Sequence, residues 1–236
     1  MGKEKRCTAI VLAAGQGRRM HSTVPKQFLL LEGKPILVYA LECFQNSELI
    51  DQIILVTGEE WIPYCREKIV NAYKITKVTD ICTGGAQRYD SVNAGLSLCR
   101  GCDYVFIHDG ARPFVTEEIV RRGYEKVSEC QACVAGMPSK DTVKIVDRTN
   151  CVIDTPARSS VWNVQTPQVF SYALIRQAYA CMQEQKHTDI TDDAMVVERF
   201  ASHKVSVFEG SYRNIKITTE DDLDTAEIFA KKMKNR

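Results

Sequence analysis

Three short segments of this chain combine residue types and spacings suited to phosphate chemistry. The first runs Val11-Leu12-Ala13-Ala14-Gly15-Gln16-Gly17-Arg18-Arg19-Met20 and closes at Pro25-Lys26. Small residues at Ala13, Ala14, Gly15 and Gly17 remove side-chain bulk, so backbone N–H groups can approach phosphate oxygens, while Arg18, Arg19 and Lys26 add positive charge. A dinucleotide fingerprint would need glycine where Met20 stands, and the segment lacks the Walker pattern. The second segment, His108-Asp109-Gly110-Ala111-Arg112-Pro113, offers a carboxylate able to hold Mg²⁺ beside a triphosphate and a guanidinium able to clamp a phosphate. An Asp–Arg pair fixing a turn is the plainer alternative. The third, Gly84-Gly85-Ala86-Gln87-Arg88-Tyr89-Asp90-Ser91-Val92, pairs two glycines that allow close approach of a flat ligand with a hydroxyl at Ser91 that can reach a base edge. A glycine turn with Asp90 and Ser91 as helix caps explains the same residues. His108 reads as a strand-end residue with a local hydrogen bond and no catalytic task.

The elements that must position these segments follow from hydrophobic periodicity. Strands are predicted at Thr8–Leu12, Gln52–Thr57, Lys77–Ile81, Tyr104–Ile107 and Ala132–Gly136. Helices are predicted at Pro35–Phe44, Trp61–Ala72, Tyr89–Leu98 and Glu117–Ser128, with Thr116 as a helix start. This alternation predicts an α/β fold with a doubly wound, mostly parallel sheet, in which all three segments lie at carboxyl ends of strands and face one crevice. The rhythm then breaks. Thr142 to Ile153 alternate in polarity around a turn at Asp147–Asn150, which predicts a projecting β-hairpin arm within residues 139–160. An apolar hairpin standing alone in water is marginal, so it calls for a partner surface. Residues 1–236 read as a single domain carrying this arm.

With 236 residues and a formal net charge of +1, the chain has no global basic footprint, so nucleic acid is not expected as a partner. It has no apolar run of membrane-spanning length and no apolar signal-peptide core after Met1, which predicts a cytoplasmic protein away from membranes. The ten cysteines are accordingly expected to be reduced and mostly structural. The pairs Cys99/Cys102 and Cys130/Cys133 leave a four-thiolate zinc site as a minority alternative.

The ordered motifs LAAGQGRRM (12–20), VPKQF (24–28), GGAQRYDSV (84–92), HDGARPF (108–114), KDTVK (140–144), QTPQVF (165–170), TDDA (191–194) and NIKITTEDDL (214–223) span nearly the whole chain. In this order they resemble the 2-C-methyl-D-erythritol 4-phosphate cytidylyltransferase family. The resemblance implies a Rossmann-like nucleotidyltransferase sheet, with CMP transferred from CTP to methylerythritol 4-phosphate, release of pyrophosphate, Mg²⁺ as cofactor, and a homodimer joined through the arm. It assigns Arg19, Lys26 and Lys216 to the triphosphate and its developing charge, with Lys216 on a late strand. It assigns Ala13, Ala14, Gly15, Gly17, Gly85, Ser91 and Asp109 to the nucleotide, and Asp109 also to the metal. Arg112, Thr142, Arg158, Thr166 and Thr191 would hold the acceptor, with Thr142 and Arg158 lent by a neighbouring subunit. Related enzymes often carry an acidic residue where Arg213 stands, which leaves Asp109 as the one implied protein ligand of the metal. A ribitol 5-phosphate cytidylyltransferase and a nucleotide-binding module without turnover are the competing readings.

Overall fold

The computed structural model describes residues 5–15, 24–185 and 189–234. Its elements in chain order are β1 (Cys7–Ala13), β2 (Leu30–Leu31), β3 (Lys34–Pro35), α1 (Ile36–Asn46), β4 (Gln52–Thr57), α2 (Ile62–Tyr64), β5 (Val78–Thr83), α3 (Arg88–Leu98), β6 (Tyr104–Asp109), α4 (Glu117–Cys130) and β7 (Ala132–Pro138). The second part comprises β8 (Ile145–Val146), β9 (Val152–Asp154), β10 (Trp162–Ser171), α5 (Tyr172–Gln183), α6 (Asp193–Phe200), β11 (Ser206–Glu209) and α7 (Glu220–Lys234).

The main sheet has seven strands in the order β11-β7-β10-β6-β1-β4-β5. Its neighbours pair in parallel, except that β10 runs antiparallel to both β6 and β7. Strand alternation divides the core between two faces. Ala9, Val11, Ile53, Leu55 and Phe106 pack with α1 and α4 on one side. Ile10, Ile54, Val56, Val105 and Ile107 pack with α3, α5 and α6 on the other. Period-two residues buried on both faces are what a central strand of a doubly wound sheet requires.

Several sequence expectations need adjustment. Trp61–Ala72 is not one α-helix. A 3₁₀ turn at Glu59–Trp61 leads into α2, and the chain widens to a π-helical stretch over Cys65–Asn71. Pro63 lacks the N–H that continuous helix would use, consistent with confinement to the first turn. Pro35 ends β3 and caps α1 instead of entering it. The arm pairs only Ile145–Val146 with Val152–Asp154, with a register irregularity. Its turn is held by Asp147 Oδ1, which accepts from the Thr149 and Cys151 amides at 2.8 and 3.0 Å.

None of the ten cysteines is in a disulfide. Burial pushes the Cys43 thiol up to about 12 and the Cys65 thiol up to about 11, which keeps both protonated and inert. No group of three or more His, Cys, Asp or Glu among the described residues could hold a metal ion, which removes the zinc alternative there. No described helix is long and apolar enough to cross a membrane.

Candidate active site

The chain leaves β1 for β4 and β5 on one side, then returns to β6 on the other, with Leu12 opposite Asp109. This reversal opens a crevice beyond the strand ends, where ligands of such sheets bind. The first loop is tied from below. Gln27, 3% exposed, donates its side-chain amide to the carbonyls of Ala13 and Gly15. The sequence reading passed over Gln27. Its signal is an amide side chain buried between Lys26 and Phe28, which has to find partners inside. Gly84 brings the β5 loop against the β1 loop, because a Cβ there would lie 2.5 Å from the Ala14 Cβ and 2.7 Å from Ser91 Oγ. Ser91 Oγ accepts from the Gly85 amide at 3.1 Å and donates to the Gln87 carbonyl at 3.3 Å. Its hydroxyl proton therefore shapes the loop. Gln87 and Asp90 form a capping box at the start of α3, so Asp90 caps the helix as expected, while Ser91 bonds within the loop instead of capping.

A cleft of about 760 Å³ runs over these loops. Ala13, Ala14, Gly15, Lys26, Gly85, Ser91, Asp109 and Lys216 all line it. A smaller cavity of about 260 Å³ adjoins and is lined in part by Arg112, Thr166 and Thr191. Arg88, Asp109 and Lys216 line both. Thr142 and Arg158 line neither; they meet each other on the arm, Arg158 Nη2 to Thr142 Oγ1 at 3.0 Å. Gly17, Arg18 and Arg19 lie outside the described residues. Lys216 does not sit on a strand as expected. It follows β11 on an irregular segment, anchored where the Ile217 amide donates to the Ala111 carbonyl at 2.9 Å. Bonding to a loop carbonyl instead of a strand edge is why the Val-Phe and Ile-Lys-Ile alternation does not continue as one strand.

The boundary between the cavities is a row of alternating charges. Asp109 Oδ2 lies 2.7 Å from Lys216 Nζ, and Asp109 Oδ1 accepts from Arg88 Nε at 3.2 Å. Burial raises the Asp109 carboxyl, but the charges of Arg88, Lys216 and Arg112 outweigh it and hold the group well below the usual carboxylate range. Arg88 is pulled down by burial and raised on balance by Asp193 and Asp109. Both stay charged at neutral pH.

Beside the smaller cavity one hydrogen-bonded chain orients Asp109, Thr166 and Arg112. The Asp109 amide donates to Thr166 Oγ1 at 3.1 Å, Thr166 Oγ1 lies 3.1 Å from His108 Nδ1, and His108 Nε2 lies 3.1 Å from the Arg112 carbonyl. A carbonyl can only accept, so His108 carries its proton on Nε2 and receives the Thr166 hydroxyl at Nδ1. One neutral tautomer satisfies the whole chain. Burial lowers the His108 pKa from 6.5 to about 4, in keeping with that neutral state. Asn214, fully buried, donates to the Thr166 carbonyl at 2.8 Å and accepts through its own carbonyl from Arg112 Nη1 at 2.8 Å. His108 is thus structural, but it joins Thr166 to Arg112, a wider task than a local hydrogen bond.

The donor set bears on a divalent cation. Asp109 supplies hard oxygens at the cavity boundary, and two carboxylate oxygens offer about four lone-pair positions, of which Arg88 and Lys216 use two. That fits an ion such as Mg²⁺ that takes most of its remaining ligands from phosphates and water. Arg213 is exposed and adds no donor.

A doubly wound sheet with a glycine-rich loop, clustered cations and a carboxylate at its topological switch defines a nucleotidyltransferase-type α/β protein. The family model for 2-C-methyl-D-erythritol 4-phosphate cytidylyltransferase matches residues 7–232. The enzyme so named from Lachnospira eligens is 48% identical over 225 residues, covering 95% of this chain and 99% of that protein. Its counterpart from Lachnoclostridium phytofermentans is 45% identical over 225 residues, covering 95% and 96%. The crystal structure of the 4-diphosphocytidyl-2C-methyl-D-erythritol synthase from Anaerococcus prevotii superposes with a TM-score of 0.85 at 33% identity, covering 96% of each chain. The chain belongs to the 2-C-methyl-D-erythritol 4-phosphate cytidylyltransferase family and is a nucleotidyltransferase.

Proposed function

We propose that the chain seats CTP in the larger cleft and methylerythritol 4-phosphate in the smaller cavity, and joins them where Arg88, Asp109 and Lys216 border both. That shared border is the observation that carries the reading. An oxygen of the acceptor phosphate forms a bond to the α-phosphorus, the bond from that phosphorus to the β-bridging oxygen breaks, and pyrophosphate leaves with the electron pair. A phosphate monoester with a second pKa of about 6 is largely dianionic at neutral pH, so no side chain has to remove a proton. The neutral, buried His108 is compatible with that.

Lys26, Lys216 and Arg19 stabilise the charge that develops on the transferring phosphoryl group and its leaving group. Backbone atoms of Ala13, Ala14, Gly15 and Gly85 contact the nucleotide closely, helped by the absence of bulk. Arg112, Thr166 and Thr191 hold the acceptor. Asp109 would hold Mg²⁺, which when bound neutralises phosphate charge and helps fix the triphosphate. Thr142 and Arg158 complete the acceptor site from a second copy of the chain, since both stand on the arm with Ile145, Val146, Val152 and Ile153 exposed beside them. Pyrophosphate release by the purified chain with CTP and Mg²⁺ tests the reading, with methylerythritol 4-phosphate and ribitol 5-phosphate as acceptors and UTP as the base control. Turnover selective for CTP and methylerythritol phosphate is expected. Preference for ribitol phosphate would move the acceptor assignment, and release with neither would leave nucleotide binding without transfer.

A further inference from the structure

Behind the charge row sits a pair that the proposed chemistry does not use. Asp193, the first residue of α6, has no solvent exposure, and neither does Tyr179 of α5. Tyr179 donates its hydroxyl to Asp193 Oδ1 at 2.6 Å, and Asp193 Oδ2 lies 2.8 Å from Arg88 Nη2. The second approach is a contact of charges without hydrogen-bond alignment, and neither atom hydrogen-bonds elsewhere among the described residues. Gln168 of β10 fixes the start of α6. Its side-chain Oε1 accepts from the Asp193 and Ala194 backbone amides at 3.0 and 3.1 Å, while its Nε2 donates to Asp192 Oδ2 at 2.8 Å. Neither Tyr179 nor Asp193 lines either cavity.

Helix α6 does not need this charge. Asp192 already caps it, accepting from the Met195 amide at 2.9 Å, and a carboxylate with no solvent exposure is costly unless compensated. The compensation comes from Arg88, and the geometry shows what sharing accomplishes. A guanidinium facing one carboxylate favours the two-pronged arrangement that occupies both oxygens. Here Asp193 takes Nη2, and only Nε reaches Asp109, at Oδ1. Oδ2 stays with Lys216.

Resting on the cytidylyltransferase reading above, we infer that Tyr179 and Asp193 are positioning residues for the transfer: they hold Arg88 divided between two carboxylates, so that Asp109 keeps an oxygen for Lys216 at the border of the two cavities. Asp193→Asn releases Arg88 to engage Asp109 with both prongs and draw it from Lys216. Tyr179→Phe loosens the same anchor by one hydrogen bond.

The experiment is a double-mutant cycle on the full chain, comparing wild type, Tyr179→Phe, Asp193→Asn, Arg88→Gln and Arg88→Gln/Asp193→Asn. Steady-state turnover gives kcat, calorimetry gives CTP affinity and thermal melts report folding. In the wild-type background, Asp193→Asn is expected to lower kcat by about tenfold or more and Tyr179→Phe by about threefold, with CTP affinity within about threefold of wild type. In the Arg88→Gln background, Asp193→Asn is expected to change kcat by less than about twofold, because residues acting through one partner are non-additive. Equal losses in both backgrounds, or unchanged kcat in Asp193→Asn and Tyr179→Phe, overturn the inference. If Asp193→Asn alone fails to fold, Tyr179→Phe introduced with and without Arg88→Gln supplies the same cycle. Absence of wild-type turnover refutes the functional reading and this inference with it, whereas wild-type turnover with additive variants refutes only the inference.

Discussion

At the residue scale, the cations and His108 make separate predictions. Lys26 and Lys216 line the cleft from different parts of the fold. Replacing either by Ala is expected to lower kcat by roughly 10²–10³-fold, the usual loss when one preorganised charge-stabilising group is removed. Single-turnover pyrophosphate release checks this. For His108 the shift sets the sign. Its folded value of about 4 lies below the ordinary 6.5, so the unfolded chain binds the proton first as pH falls. The stabilisation is present above pH 6.5 and is lost as pH drops toward the folded value. Urea unfolding is expected to show about 2 kcal/mol less stability at pH 5 than at pH 7 from this group, and His108→Asn should flatten that difference. Asp109, held below its ordinary 3.8, is ionised in both folded and unfolded chains over most of that window and contributes little to the slope.

At the element scale, α3 carries the Ser91 loop at its N-terminal end and lies on β1 and β4. The close fit depends on Gly95. A Cβ there would come within 2.6 Å of Ile10 Cγ2 and 3.2 Å of Val56 Cγ2, both on buried strand residues. Gly95→Ala therefore pushes the helix off the sheet, and overpacking of about 1–3 kcal/mol outweighs the gain of roughly 1 kcal/mol in helix propensity. The expected result is a lower urea midpoint together with a raised KM for CTP, because a displaced α3 moves Ser91 and Gly85. A normal KM with a lowered midpoint would show that the loop is held independently of the helix.

At the scale of the whole molecule, the arm decides whether the site is made by one chain or two. Val152 and Ile153 are 55% and 65% exposed, an apolar surface that suits a second copy, and Arg158 sits at the base of the same arm. Mixing inactive Arg158→Ala chains with inactive Lys26→Ala chains and allowing exchange tests this directly. In mixed dimers one site combines an intact cleft with an intact arm, so roughly a quarter of wild-type sites should regain turnover, by the symmetry of a two-fold pair. No recovery, despite subunit exchange seen by native mass spectrometry, would place Arg158 in its own chain's site. Ile153→Asp is expected to shift sedimentation toward monomer.

The parallel half of the sheet was legible in the chain alone, because strands buried on both faces leave unbroken apolar runs such as Ile53–Val56, and so were the three loops that line the cleft, because glycines and charges cluster just after those runs. The chain alone was silent on β10, α5, α6, β11 and α7, where Gln165, Thr166 and Gln168 interrupt the apolar pattern of β10. Those polar side chains have internal partners that become visible only after folding: the Asn214 side-chain amide donates to Gln165 Oε1, the Asp109 backbone amide to Thr166 Oγ1, and the Asp193 backbone amide to Gln168 Oε1. That Arg88 faces two carboxylates, that Gln27 ties down the first loop and that Lys216 reaches Asp109 emerge only from the folded chain. Each joins residues distant in the chain, and local periodicity records which face a residue takes but not what stands opposite it.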